Sequence, residues 1–429
     1  MPPRRPPPTA PPPPEGPLTV DSVGGEGDGV IHLTDGRLLH VPGILPGEVV
    51  RLRAGREGPV LEAIESPSPD RRPPPCLYFG TCGGCALQHW DDAAALAWKV
   101  ERLRSTLALE RLEADILPVV RTAPATRRRT ALHARRGDNR RIARLGFKAR
   151  RSWNLVEISD CTVLDPAITA ALPGLRRLAA PFLEHPKSAP TLHVTSTGTG
   201  LDIDVTGVEA RSGGLSADAR MAAAEIAAEL GIARLTLAGD SVFLQRRPVV
   251  QFGRARVEIP AGGFLQASAA AEAALIAEVG AAAAGARRIA DLFCGAGAFT
   301  FPLAGIAPVL AADASAPAIG ALTAAIATAP GLHGITAEVR DLFRRPVLAS
   351  ELRRIDFVVF DPPRAGATAQ AAEIALSGVG RVAAVSCNPA TFVRDARQLV
   401  DAGFRIERIL PVDQFLWSPH LELTAIFSR

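Results

Sequence analysis

At 429 residues the chain is long enough for two to four domains. Apolar residues make up 47 % and charged residues 21 %, which excludes a chain that is disordered throughout. The net charge is only +4, so any strongly cationic surface must be local.

The start, MPPRRPPPTAPPPPEG, has no apolar core and so is not a secretory signal. It reads as a disordered Pro-rich tail over 1–16, and a cytoplasmic protein is expected. No run reaches the roughly 18 uninterrupted apolar residues of a membrane span. Residues 17–66 hold five short runs, LTVDSV, GVIHL, RLLHVP, EVVRLRA and PVLEAIE, separated by Gly-rich turns. That pattern predicts an OB-like barrel, a frequent nucleic-acid module. SPSPDRRPPP is a linker.

PPPCLYFGTCGGCALQHW follows, with Cys76, Cys82 and Cys85 spaced C-x5-C-x2-C. Glycines between them let backbone wrap closely around an inorganic centre. A closed site needs a fourth thiolate, and Cys161 is the natural candidate because Cys294 and Cys387 fall in the later α/β region. Four thiolates suit zinc or an iron–sulfur cluster; a triplet with one remote member favours [4Fe-4S]. Residues 93–114 read as an amphipathic helix, placed to dock on the C-terminal domain.

Between 121 and 151 stand twelve Arg or Lys (121, 127–129, 135, 136, 140, 141, 144, 148, 150 and 151) against one acid, Asp138. Such a segment suits a polyanion, and Arg127, Arg128 and Arg129 are its densest part. The region 67–263 mixes strands with the helix DARMAAAEIAAELG, a central α+β domain. From 264 to 429, apolar strands and helices alternate, which implies a doubly wound α/β domain.

In RRIADLFCGAGAFTF a strand over 289–293 runs into a turn containing Gly295 and Gly297. Asp313 ends the next strand about 20 residues on, a spacing at which a carboxylate reaches ribose hydroxyls. Asp341 and Asp361 end the third and fourth strands. Thr300 stands where a nicotinamide site would have its third glycine. Acid-tipped strands without a phosphate-binding triad favour S-adenosylmethionine. Cys387 ends a fifth strand, 382–385 and Ser386, just before Asn-Pro, where a structural thiol would more often lie inside the run.

With DLFCGAG, DPPRAG, SCNPAT and the closing HLELTAIFSR, the chain resembles the S-adenosylmethionine-dependent RNA (uracil-5-)-methyltransferases, especially the iron–sulfur branch acting on 23S rRNA. The resemblance extends over nearly the whole chain after the tail. It implies a Rossmann-like class I methyltransferase domain and a TRAM domain as the barrel. By position it makes Cys387 the nucleophile and Glu422 the base. Gln266, Phe293, Asp313, Asp341 and Asp361 match positions that bind the methyl donor or shape its cleft. Phe264 is placed to stack on a base. Ala298 stands where the family often has Asn, and Asp313 replaces a longer Glu.

The chemistry supports these roles. C5 of uracil is a poor nucleophile. A thiolate adding to C6 makes it electron-rich enough to take a methyl group, and a base must then remove the C5 proton before the thiolate leaves. A polar turn and a helix starting near 391 are expected to lower the pKa of the thiol. The uridine must be flipped out or lie in a loop. Transfer RNA is the alternative substrate. Cytosine C5-methylation fits less well, because DPPRAG has no cysteine; adenine amino methylation needs no thiol. A non-catalytic iron–sulfur RNA-binding factor would not require Cys387 and Glu422. A monomer is the default.

Overall fold

The structure, a computed structural model, describes residues 12–55, 58–138, 141–210 and 214–429. Most of the Pro-rich tail, 1–11, and Arg140 of the Arg-rich stretch lie outside the described residues. The chain forms two compact units. The first comprises Met1–Lys99, Lys148–Asn154 and Trp417–Pro419; the second comprises Val100–Phe147, Leu155–Leu416 and His420–Arg429. Among the described residues no helix is long and apolar enough to cross a membrane.

In the first unit two antiparallel three-stranded sheets enclose one core. Leu18–Thr19, Val49–Gly55 and Gly58–Ser66 form one sheet; Ser22–Val23, Gly29–His32 and Leu38–Val41 form the other. LTVDSV yields two strands rather than one because the chain changes sheets there. Val20 N–H bonds to Glu48 and Asp21 N–H to Val30. Val20, Ile31, Val41, Ile44 and Val50 fill the interior. The linker is pinned on this body, since Arg71 makes a two-pronged pair with buried Glu48 at 2.6 and 2.7 Å.

Among the described residues the second unit contains two large sheets and a two-stranded antiparallel ribbon, Val249–Phe252 with Ala255–Glu258. In the seven-stranded sheet the order is Leu155–Glu157, Arg144–Lys148, Arg129–Arg135, Thr191–Thr197, Gly200–Thr206, Arg234–Leu237 and Asp240–Leu244. A parallel pair in it, Gly200–Thr206 with Arg234–Leu237, is joined through the helix Ala217–Glu229. The helix Pro166–Ala179 covers it with Ile168, Leu172, Leu175 and Leu178.

The other sheet carries the chemistry. We number its strands β1 (Ile289–Leu292), β2 (Val309–Asp313), β3 (Ile335–Val339), β4 (Phe357–Phe360), β5 (Arg381–Ser386), β6 (Arg405–Asp413) and β7 (Glu422–Ser428). The order is β3-β2-β1-β4-β5-β7-β6, with β1 to β5 parallel and β7 antiparallel between β5 and β6. β1 and β4 are buried at every position, as strands covered on both faces must be. Two early segments, Asp115–Ile116 and Val120–Arg121, extend the sheet beside β6.

The helix expected over 93–114 spans Asp92–Leu109. It stops early because Arg111 adopts φ +52°, outside helical space. Leu103 and Leu107 on its second half, with Leu112 beyond it, are buried in a core with Val382, Phe392, Leu399 and Phe427.

Candidate active site

After β1 the chain turns sharply. Phe293 takes φ +64°, costly for an aromatic residue, and the N–H groups of Phe293 and Cys294 both bond to the carbonyl of Ala312. Gly297, at φ +99°, is required: a Cβ there would lie 2.8 Å from the Phe301 ring. Asp313, ending β2, accepts the Gly295 N–H at 3.0 Å and the Ser315 N–H at 2.7 Å. Its carboxylate is thereby held against the glycine turn, with lone pairs left for a ligand. Asp341 follows β3 and accepts the Phe343 N–H at 3.0 Å; the Phe343 ring tilts against Phe293 with centroids 5.5 Å apart. Asp361 directly follows β4.

Sequence reasoning passed over Asp291, inside DLFCGAG. It is fully buried within β1, accepts the Thr300 hydroxyl at 2.5 Å and leaves Oδ1 unpartnered. Burial, with the charges of Asp361 and Asp313, pushes it up to about 7. A lone acid in an apolar strand was the available signal.

Four side chains form a hydrogen-bonded line, three of them buried and the fourth, Asp361, half-buried. Gln266 Nε2 donates to Asp361 Oδ2 at 3.2 Å. Gln414 Nε2 donates to Gln266 Oε1 at 2.8 Å and to Glu422 Oε2 at 2.9 Å. The Ala267 N–H donates to Gln414 Oε1 at 3.0 Å. Burial pushes Glu422 up to about 8, with the Asp361 charge adding and the Gln414 bond opposing. Burial likewise raises Asp361, to about 7. Gln414 was missed; a glutamine just past the end of β6 is its only mark in the sequence.

Cys387 emerges from β5 half-buried. The register Ser386↔Leu423 between β5 and β7 brings Cys387 and Glu422 to the same sheet end. Asn388 caps the helix Pro389–Asp401 by accepting the Ala390 N–H, and its Nδ2 donates to the Arg364 carbonyl at 3.0 Å. That bond ties the thiol's turn to DPPRAG. The thiol is not activated at rest, contrary to expectation. Burial pushes it up to about 11, the Glu422 and Asp361 charges add, and only Arg364 and a backbone bond oppose. The helix starts with Pro389, whose missing N–H removes one of the donors that would stabilise a thiolate.

The cysteine triplet lies in the first unit and Cys161 in the second. All four are half-buried and outside any disulfide. Gly84 N–H points at Cys82 Sγ at 3.4 Å, as backbone does around thiolate ligands, and Gly83 N–H bonds to the Lys148 carbonyl. Even so, among the described residues no group of three or more His, Cys, Asp or Glu is gathered to hold a metal.

Arg128 and Arg129 are turned inward more than a phosphate-binding strand requires. Arg128 donates to the Gln266 carbonyl at 3.0 Å and to Glu272 at 2.5 Å. Arg129 donates to the Leu265 carbonyl at 3.0 Å and stacks on Phe264, 4.7 Å from its centroid. The Arg127 N–H bonds to Val163. Phe264 is 65 % exposed.

A parallel sheet of this order, with carboxylates ending its strands beside a glycine turn, defines an α/β methyltransferase. The fold agrees with the crystal structure of Pyrococcus abyssi tRNA (uracil-54, C5)-methyltransferase bound to S-adenosyl-L-homocysteine. The TM-score is 0.71, over 96 % of this chain and 100 % of that one, at 21 % identity. Residues 234–429 match the tRNA (uracil-5-)-methyltransferase family. An uncharacterized RNA methyltransferase of Caulobacter vibrioides is 59 % identical over 96 % of this chain and 99 % of its own length. The 23S rRNA (uracil(1939)-C(5))-methyltransferase RlmD of Chromohalobacter salexigens is 32 % identical over 96 % of this chain and 89 % of its own. The chain belongs to the S-adenosylmethionine-dependent RNA (uracil-5-)-methyltransferase family, and it is an enzyme.

Proposed function

We propose that the protein methylates C5 of one uridine in 23S rRNA through a transient bond between Cys387 and C6, with Glu422 removing the C5 proton. The observation that carries this reading is the meeting of Cys387 and Glu422 at one end of β5 and β7. The likeness to the RlmD sequence supports the ribosomal substrate. Transfer RNA remains the second reading, because the fold matches a tRNA enzyme as well.

Gln266, Phe293, Gly295, Gly297, Asp313, Asp341 and Asp361 are the residues to hold S-adenosylmethionine. When bound, it supplies an electrophilic methyl group. Asp313 and Asp341 offer carboxylate oxygens for ribose and adenine. Cys387 supplies the electron pair that activates the ring. Glu422, buried and raised, is strongly basic once ionised and takes the proton whose loss releases the thiol. Exposed Phe264 offers a stacking face to a flipped base, with Arg129 behind it, and Arg127 and the barrel of 17–66 add RNA contacts.

We also read Cys76, Cys82, Cys85 and Cys161 as ligands of a [4Fe-4S] cluster. Their spacing and the Gly84 N–H directed at Cys82 support this. No chemical step is routed through it. The protein is taken to act as a monomer in the cytoplasm.

The test is incubation with S-adenosylmethionine and RNA carrying 5-fluorouridine at the target. Fluorine cannot leave as a proton, so a covalent adduct should accumulate and should vanish with Cys387→Ala. Methylation by Cys387→Ala would refute the thiol step. Mapping 5-methyluridine in RNA from a deletion strain decides between ribosomal and transfer RNA. Anaerobically purified protein should be brown; colourless protein holding one zinc would refute the iron–sulfur reading.

A further inference from the structure

We infer that Gln414 is a positioning residue that dictates which oxygen of Glu422 receives the C5 proton, its own orientation being set by the backbone N–H of Ala267. This rests on the thiol mechanism proposed above.

The two ends of a glutamine amide look alike, so its orientation must come from its partners. Here one partner is unambiguous. A backbone N–H can only donate, and that of Ala267 faces one atom of the Gln414 amide at 3.0 Å, so that atom is the oxygen. The NH2 group then has two hydrogens and two acceptors, Gln266 Oε1 at 2.8 Å and Glu422 Oε2 at 2.9 Å. An amide NH2 accepts nothing. Glu422 Oε2 is therefore locked as an acceptor, and an incoming proton belongs on Oε1. The same logic runs the other way. With its oxygen engaged, Gln266 must turn its NH2 to Asp361, as the 3.2 Å contact shows. Both glutamines are buried, at 4 % and 5 % exposure, so bulk water hardly competes for these bonds. Ala267 is itself held, since its carbonyl accepts the Arg128 N–H.

In the step affected, the C5–H bond breaks and its electron pair becomes the C5–C6 double bond. The C6–S pair returns to the Cys387 sulfur, and the proton ends on Glu422 Oε1. Without Gln414 the carboxyl is free to rotate and to present either oxygen.

The test compares two rates in one variant, Gln414→Met, which keeps the length and removes the donor. With 5-fluorouridine RNA and saturating S-adenosylmethionine, adduct formation does not involve C5 deprotonation and should stay within about twofold of wild type. With ordinary RNA, turnover should fall about 10- to 100-fold, the scale of a hydrogen bond to a charged group. Methylated enzyme–RNA adduct should accumulate on that ordinary RNA. Gln414→Asn, whose shorter amide cannot span both acceptors, should show the same split and serves if the Met variant does not fold. Unchanged turnover, or equal losses in both rates, would overturn the role of Gln414. Absence of adduct in the wild-type enzyme would instead sink the thiol mechanism, and this inference with it.

Discussion

Asp313 and Gly295 are joined by a hydrogen bond of 3.0 Å between a carboxylate oxygen at the end of β2 and a backbone N–H in the glycine turn after β1. The bond makes the turn and the carboxylate one preformed wall. Replacing Asp313 by Asn keeps an acceptor for Gly295 but removes the charge available to a ligand. Asp313→Asn should raise the KM for S-adenosylmethionine about tenfold or more, as loss of a charge-assisted bond does, while kcat changes little. Steady-state methylation at saturating RNA measures both. A fall in kcat alone would contradict the assignment.

The resting thiol should be unreactive. Because burial and the Glu422 charge hold Cys387 up to about 11, iodoacetamide should alkylate it slowly at pH 8. Glu422→Gln removes one of the charges opposing ionisation, so alkylation at pH 8 should speed up severalfold, read from the peptide carrying residue 387. The same variant should lose methylation. Unchanged alkylation would mean that the two groups do not sense each other.

Glu422 also ties activity and stability to pH in opposite directions. It must be ionised to accept a proton, so activity should climb as pH rises towards and past about 8. Its pKa in the folded state lies above the unfolded value of about 4.3. The folded state therefore binds the extra proton, and its stability contribution is full below the unfolded value and is lost as pH rises through the folded one. Glu422→Gln should change Tm little near pH 4 and raise it near pH 9. Calorimetry at the two pH values checks the sign; a lower Tm at pH 9 would contradict it.

Arg128 and Glu272 form a buried pair at 2.5 Å, and Arg128 also holds the Gln266 carbonyl. Arg128→Met leaves Glu272 buried without its cation and should cost about 3–5 kcal/mol. The double variant Arg128→Met/Glu272→Met should recover most of that stability but not the activity, since the loop bearing Gln266 stays unclamped. Denaturant unfolding alongside turnover separates the two effects. Full recovery of both would reduce Arg128 to a charge partner.

Much of the site was legible because its residues sit in short contiguous motifs. A glycine turn after an apolar run, acids at strand ends and a cysteine before Asn-Pro are local patterns, each forced by backbone geometry within a few residues. The alternation of strands and helices after 264 likewise identified a doubly wound sheet. The switch of sheets at residues 20–21 was hidden, because LTVDSV is a good strand by propensity and only the positions of residues 30 and 48 divide it. The segments 115–121 were too short to read as strands until β6 offered an edge.

What the chain determined by itself, then, is the chemistry available: a thiol, several carboxylates and a cleft lined by glycine, because residue type and strand phase are local properties. Tertiary structure alone decided their states. Gln414 and Gln266 are 148 positions apart, and Glu422 and Asp361 meet only through them. Burial beside one another raises both acids and the thiol, and the Arg128 guanidinium is turned to Glu272 rather than to solvent. Desolvation and pairing are sums over neighbours brought from every part of the fold, and no local pattern encodes them.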